Sequence, residues 1–382
     1  MRKIFAALLC AGILLLPGCA APAADPSAPA AADWCGLTYE YSLPLTHADQ
    51  FTVSYYKNGY ARIDIADGSR YLVVPAGQDV PDGLDNGTVI LQQPLDRIYL
   101  VATSAMDLFR AVGGLDSIRL SGTDADGWYI PEARQAMERG DILYAGKYSA
   151  PDYERIYAEQ CDLAVESTMI YHTPEVKEQL ERLGVPVLVE RSSYESDPLG
   201  RMEWVKLYGV LLGCETQAEA VYQAELDRLS AIADQPDTGK TVAFFHINTN
   251  GSVTVRKSGD YVAKMIDMAG GDYVFSELSA QEDNALSTTN LQMEAFYAGA
   301  KDADCLIYNS TIGGELHTME ELLAKSPLLA DCKAVREGSV WCTGQNLFQS
   351  SMGLGGMILD IHTVLTDPAP DPAALTYLHR LT

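Results

Sequence analysis

Between Gln50 and Pro75 the chain clusters or alternates β-forming residues, in Phe51-Thr-Val-Ser-Tyr-Tyr56, Tyr60-Ala-Arg-Ile-Asp-Ile65 and Tyr71-Leu-Val-Val-Pro75. Lys57-Asn58-Gly59 and Ala66-Asp67-Gly68-Ser69 separate them, and Asn and Gly reach the backbone angles that hairpin turns need. A β-meander is predicted there. From about Arg97 the rhythm becomes strand, loop, helix. Ile98–Ala102 reads as a buried strand, and Ser104–Val112 as a helix ended by Gly113-Gly114. Unalternating apolar strands follow at Ile118–Leu120, Leu163–Val165, Val185–Val189, Val242–His246, Cys305–Tyr308 and Ser339–Trp341. Helical patterns such as Pro174–Leu183 lie between most of them, which predicts parallel sheets covered on both faces.

A helical stretch runs from Pro198 to about Ala233, with Met202, Val205, Tyr208, Leu211 and Leu212 at helical spacing. Gly213-Cys214 interrupts it, and Thr216 with Glu219 has the spacing of a capping box for a restart. After Gln235-Pro-Asp-Thr-Gly239 the α/β rhythm resumes. The fold class expected is therefore α/β, with two Rossmann-like lobes of mostly parallel sheet joined by a long rigid helix, plus the N-terminal β-meander. The mature chain is long enough for two cores.

The N-terminus has a basic start, Arg2-Lys3, then an apolar run from Ile4 to Leu16 and Leu15-Leu16-Pro17-Gly18-Cys19. The run is shorter than the roughly 20 residues a membrane helix needs, and it fits a secretory signal. Small residues before the cysteine resemble the lipobox of bacterial lipoproteins. That resemblance implies cleavage before Cys19 and lipid on its sulfur. An ordinary signal cut after one of the alanines at 20–24 is the alternative. Ala20 to Asp33 is almost wholly Ala, Pro, Ser and Asp, a flexible tether.

These patterns divide the chain into a signal (1–18), a lipidated tether (19–35), a β-rich extension (36–96), a first lobe (97–197), a helical linker (198–236) and a second lobe (237–382). The formal charge is −25, with 52 acidic against 27 basic residues, and loss of Arg2 and Lys3 takes it to −27. Such a surface excludes nucleic acid as partner, because phosphate binding needs a basic face. None of the six cysteines after the tether forms a zinc-like spacing. Cys332 and Cys342 bracket what reads as a hairpin turning at Glu337-Gly338, so they could face each other. Cys161 and Cys305 read as buried thiols.

A weak internal repeat recurs about 140 residues apart. Tyr153-Glu154-Arg-Ile-Tyr157-Ala158 then Asp162-Leu-Ala-Val-Glu-Ser167-Thr168 is echoed by Met293-Glu294-Ala-Phe-Tyr297-Ala298 then Asp304-Cys-Leu-Ile-Tyr-Asn-Ser310-Thr311. Asp152 and Asn290 are the expected N-caps. Glu in a first helical turn is favoured by the helix dipole alone. Its recurrence in corresponding places of two lobes, each before a strand ending in Ser-Thr, points further. In open parallel sheets the crevice beyond the strand C-termini is where ligands bind.

Lipobox, tether, two α/β lobes and helical linker together resemble the substrate-binding proteins of ABC importers for iron-siderophores, haem and cobalamin. The likeness runs from about Arg97 to the C-terminus. It implies that Glu154 and Glu294 dock on a permease served by an ATPase, since two carboxylates on separate lobes fix position and rotation. It also implies a small-molecule ligand, a metal chelate, held between the lobes of a monomer at the extracytoplasmic membrane face. Loops after strands supply the ligand candidates. In the first lobe these are Thr103, Ser104, Trp128, Tyr129, Lys147, Tyr148, Ser167, Thr168, Arg191 and Arg201. In the second they are Asn248, Asn250, Arg256, Lys257, Tyr261, Asn309, Thr311, Gln345 and Phe348. Trp128-Tyr129 can present amphipathic area to a ring, or pack beneath a loop. Arg191 and Arg201 can hold a carboxylate bidentately, or pair with Glu190, Glu195 or Glu203.

An enzyme is the first rival, yet no HExxH, GxSxG or P-loop occurs, so neither catalysis nor a cofactor is expected. A receptor for free zinc or manganese needs three or four converging ligands. Only His172 and His246 sit near the expected cleft edges, so no metal ligands are assigned. A sensor lipoprotein on the same fold is the third rival.

Overall fold

The computed structural model describes residues 32–278 and 287–382. Signal, Cys19 and most of the tether lie outside them. In the extension, strands Tyr39–Ser42, Phe51–Tyr56, Ala61–Ile65, Arg70–Val74 and Thr88–Gln92 lie side by side in chain order. The first four are antiparallel, as the turn residues demand, and the last runs parallel to its neighbour. Period-two alternation splits the sheet cleanly. Phe51, Val53, Tyr55, Ile63, Ile65, Tyr71 and Val73 face the main core, whereas Tyr56, Tyr60, Leu72 and Val74 pack under Trp34 and Leu37.

The first lobe is an all-parallel sheet in the order Val187–Glu190, Leu163–Ser167, Ile98–Leu100, Ile118–Ser121, Leu143–Tyr144. The second is mixed. Lys240–Ile247 pairs in parallel with Gly271–Tyr273 and Cys305–Tyr308, and the latter with Val340–Thr343. Val253–Arg256, Thr288–Leu291 and Leu378–Arg380 add antiparallel strands.

The helical connection comprises Pro198–Glu203, Val205–Leu212 and Glu215–Ala233. Gly213 ends the second segment in the left-handed conformation at φ +68°, a standard helix stop. The third packs back on the second, and Gly209 permits it: a Cβ there would lie 2.6 Å from that of Ala218. Thr216 is not the cap of this helix. It begins at Glu215 without a side-chain cap, because Glu219 instead reaches Lys206 at 3.0 Å.

The Cys332–Cys342 hairpin is also corrected. Lys333-Ala-Val-Arg-Glu337 is a short helix, since these residues favour one and Gly338 supplies its left-handed terminator. The six described cysteines are free thiols. Burial pushes Cys161 and Cys305 up to about 12, which makes them inert.

The extension is fastened to the linker by two buried carboxylates. Glu203 accepts from the backbone N–H groups of Thr46, His47 and Ala48, with the shortest bonds at 2.8 Å, and is paired with buried Lys206 at 3.1 Å. Glu195 accepts from Asp49 N, Gln50 N and Trp204 Nε1. Glu203→Ala strands both Lys206 and the N–H row in a dry interior. A loss of about 3–5 kcal/mol is expected, read as a lower midpoint in urea.

Glu166 is the opposite case, a buried carboxyl with no hydrogen-bond partner for either oxygen. Burial alone pushes it up from 4.5 to about 8. The folded state therefore keeps a proton that the unfolded chain releases near 4.5. This contribution to stability is complete below about 4.5 and is lost as pH rises through about 8. Glu166→Met should flatten that slope and raise stability at pH 9 by about 1–3 kcal/mol, measured by urea unfolding across pH.

Candidate functional site

The strand C-termini of the first lobe meet the 344–353 loop of the second at a seam. Gln349, buried, accepts from Tyr129 N at 2.8 Å and donates to the Gly127 carbonyl at 2.7 Å. Ser351 Oγ donates to the Ser104 carbonyl at 2.7 Å, and Met352 N to Asp107 at 2.8 Å. Beside these bonds Tyr129 and Phe348, 42% and 39% exposed, meet edge to face at 6.0 Å between centroids. Large apolar side chains left this open, one from each lobe, are an informative exception in a soluble domain.

Next to that pair lies a charged group. Arg201, at the start of the linker, stacks over Tyr261 of the second lobe at 3.6 Å, and Arg256 lies 5.7 Å from the same ring. Arg201 donates through Nε to the Glu195 carbonyl and through Nη2 to the Ser193 carbonyl; among the described residues Nη1 meets no acceptor. Burial holds this guanidinium below its usual range, with Tyr261 and Asp260 opposing and Arg256 adding to the depression. Burial also acts against Arg256, but Asp260 outweighs it and leaves it raised. Glu190, fully buried, accepts from Ser104 Oγ at 3.0 Å and Ser192 N at 2.9 Å, and burial raises it. Two cations on one aromatic face can take a carboxylate or another anionic group. The neighbouring rings can take apolar surface.

The remaining candidates divide by what their atoms already do. Trp128 is not a ligand platform: its ring is buried and Nε1 donates to Ser121 Oγ at 3.2 Å. Its Nε1–H needs a partner inside, and the Ser121 strand end supplies one. Arg191 pairs with none of the three glutamates. It lies over Tyr194 at 4.0 Å and donates to Tyr171 and to Gln50 of the extension. Arg201 likewise forms no ion pair with them, only the backbone bonds above.

Ser167 and Asn309 cap the short helices Thr168–His172 and Ser310–Gly313. Thr168 lies within the first of these, while Thr311, exposed, lies within the second. Asn248 and Asn250 brace the turn before Val253 through Ser252 and Thr254. Lys147 and Tyr148 belong to a small hairpin, Gly146–Lys147 with Ala150–Pro151. Thr103, Lys257 and Gln345 are half-buried near the strand ends.

A pocket of about 340 Å³ opens where Lys240–Ile247 ends, lined by His246, Asn248, Ile312 and Lys325. His246 is buried, 3.4 Å from the Tyr308 hydroxyl, and burial, then Lys325, hold it below its ordinary value. Sequence reasoning missed Gln349, Ser351, Asp260 and Lys325. Their partners lie far away in the chain, so no local pattern marks them.

Glu154 and Glu294 are each the second residue of a helix, Tyr153–Ala158 and Met293–Ala300. Both are exposed, and neither forms an ion pair among the described residues. Asp152 caps the first helix through Arg155 N at 3.0 Å. Asn290 does not cap the second; it sits in a strand and accepts from Thr254 Oγ1, leaving Gln292 at the cap position.

Residues 100–347 match the sequence profile described as Periplasmic binding protein. The chain is 24% identical over 319 residues to an uncharacterized lipoprotein of Methanocaldococcus jannaschii, covering 78% of this chain and 73% of that one. Among solved structures, it resembles a periplasmic heme binding protein from Pseudomonas aeruginosa at a TM-score of 0.58 and 20% identity, over 75% of this chain and 98% of that one. It also resembles an ABC-type Fe3+-hydroxamate transport system from Saccharomonospora viridis at a TM-score of 0.54 and 18% identity, over 72% and 94%. At these identities the structural likeness speaks for the fold.

Proposed function

This chain belongs to the periplasmic binding protein family, and from that premise we propose that it is the capture subunit of an ABC importer. It takes a metal chelate of the iron-siderophore, haem or cobalamin type into the seam between its lobes and delivers it to the permease, without chemistry on the cargo. The observation that carries this reading is the exposed Tyr129–Phe348 pair, one ring from each lobe. Such rings suit a flat or macrocyclic apolar surface, and Arg201 and Arg256 beside Tyr261 suit its acidic periphery. The match to heme-binding and hydroxamate-transport structures gives that ligand class its precedent.

Lipid on Cys19 would keep the protein at the extracytoplasmic membrane face. The relative from M. jannaschii is a lipoprotein, and no described helix is long and apolar enough to cross a membrane. One acyl chain anchors only marginally, so a multi-chain lipid is required.

Titration with hemin, a ferric hydroxamate and cyanocobalamin, followed by quenching of intrinsic fluorescence, tests the ligand class. Saturable binding to one of them is expected, weakened about 10–100-fold in Tyr129→Ala with Phe348→Ala, by loss of ring stacking and burial. Absence of saturable binding to all three, or full affinity in the double variant, would sink the reading. Docking is tested separately. Glu154→Lys with Glu294→Lys should abolish uptake into cells while the purified variant keeps its ligand affinity; normal uptake removes the docking role.

A further inference from the structure

We infer that Glu315, His317 and His379 form a site for a borderline divalent cation of the zinc class, on the outer edge of the second lobe and separate from the seam. One donor atom from each lies within 4.8 Å of the other two. Sequence reading assigned no metal ligands, because it looked for them beside His172 and His246. The cluster forms only when the edge strand Leu378–Arg380 is laid along Val340–Thr343, which brings His379 to the loop holding Glu315 and His317.

The His379 ring carries the argument. Its Nε2 lies 2.7 Å from the Leu316 carbonyl. A carbonyl only accepts, so Nε2 bears the proton, and in the neutral ring Nδ1 is left as a bare lone pair. That lone pair faces Glu315 Oε1 at 3.5 Å. Two acceptors turned toward each other repel unless a cation lies between them. Donation of the far ring N–H to a backbone carbonyl is also the arrangement that fixes tautomer and orientation in histidines that bind metals. The third donor is at hand: the exposed His317 ring stacks on that of His379, 5.3 Å between centroids and 29° between planes.

Distances fit the ion. Tetrahedral zinc with bonds of about 2.0–2.1 Å places its donors roughly 3.3 Å apart. The Nδ1 to Oε1 separation of 3.5 Å is close to such an edge. A small turn of the exposed His317 ring closes the rest. Two imidazoles and one carboxylate favour zinc over calcium or magnesium, which take oxygen donors. Three protein ligands leave a fourth position for water.

The scaffold is preorganised by bonds that need no metal. Glu321 accepts from His317 N at 2.7 Å and Thr318 N at 3.0 Å, and Leu316 N donates to Cys342 Sγ at 3.4 Å. The Thr382 carbonyl accepts from Met319 N, and Thr382 N donates to the His317 carbonyl. The bound ion would then pin the edge strand to this loop, and binding only the folded chain it would raise stability with concentration.

The test uses the full chain in detergent, stripped with a chelator and titrated with zinc chloride by calorimetry at pH 7.5. One equivalent taken up, a Tm that rises with zinc, and no response to magnesium chloride are expected. Uptake should weaken at least tenfold in His317→Asn or His379→Gln and vanish in the double variant. The exposed His172→Asn should retain it. Cobalt(II) at the site should give the intense visible absorption of a tetrahedral centre, and uptake should fall below about pH 6.5 as the imidazoles protonate. Urea unfolding of the stripped variants at the wild-type midpoint separates lost ligation from misfolding. No stoichiometric uptake, or uptake unchanged in the double variant, overturns the site. So does a His379 ring that titrates against Glu315 without taking zinc, for then a proton alone bridges them.

Discussion

The structure depends on carboxylates that are spent inside the protein on rows of backbone N–H groups. Glu203 and Glu195 between them hold five consecutive amides, Thr46 to Gln50. That row is the only stretch of loop between the first two strands of the extension, so its capture fixes where the sheet sits. The sheet in turn covers the linker: Phe51 packs on Trp204 at 5.0 Å, and Tyr71 donates its hydroxyl to the Val187 carbonyl at 2.9 Å. Charge-assisted bonds of this kind are the strong ones, and in a dry interior they are costly to leave half made. The same device recurs at the other end of the chain. Asp360 in the last helix accepts from Thr376, Tyr377 and Leu378 N, and so seats the edge strand that carries His379.

This use of acidic side chains revises the meaning of the composition. A charge of −25 reads as a solvated acidic surface, and much of it is that. Yet Glu190, Glu195, Glu203, Asp260 and Asp360 are buried. Each is satisfied by backbone N–H groups, hydroxyls or a cation, as buried charges must be. Nothing in the local sequence separates these acids from their exposed neighbours. Glu203 and its partners at Thr46 to Ala48 are about 155 residues apart. Apolar periodicity reports on burial of whole faces, so it predicted strands and helices within a residue or two. It carries no information on which acid a distant loop will capture.

The candidate site was legible to the same depth. Loops after parallel strands were the right place to look, and Tyr129, Arg201, Arg256, Tyr261 and Phe348 were found on that ground. Trp128 failed because adjacency in sequence is not adjacency in exposure. In Trp128-Tyr129 the first ring turns inward to Ser121 and the second outward to Phe348. Arg191 was placed correctly after its strand, but its guanidinium is taken up by the extension, which a reading of the two lobes alone leaves out. The repeat around Glu154 and Glu294 was visible because it is encoded in short contiguous strings. The cap at Asn290 failed because an inserted strand displaces the helix start.

The mechanics of the seam follow from the same bonds. A rotation that opened the lobes widely would break the Gln349 pair, the Ser351–Ser104 bond and the Met352–Asp107 bond together. Each buried hydrogen bond contributes about 0.5–1.5 kcal/mol net when made, and more is lost when a polar group is stranded. Water would have to follow the opening to satisfy Gln349 and Asp107. The linker opposes it too, since its two longer helices fold back on one another at Gly209 and offer no single loop as a hinge. Movement is therefore expected mainly in side chains that make no such bonds, Phe348 and the ring of Tyr129 first among them. A binding protein built this way admits its cargo by parting two aromatic side chains over a nearly fixed frame.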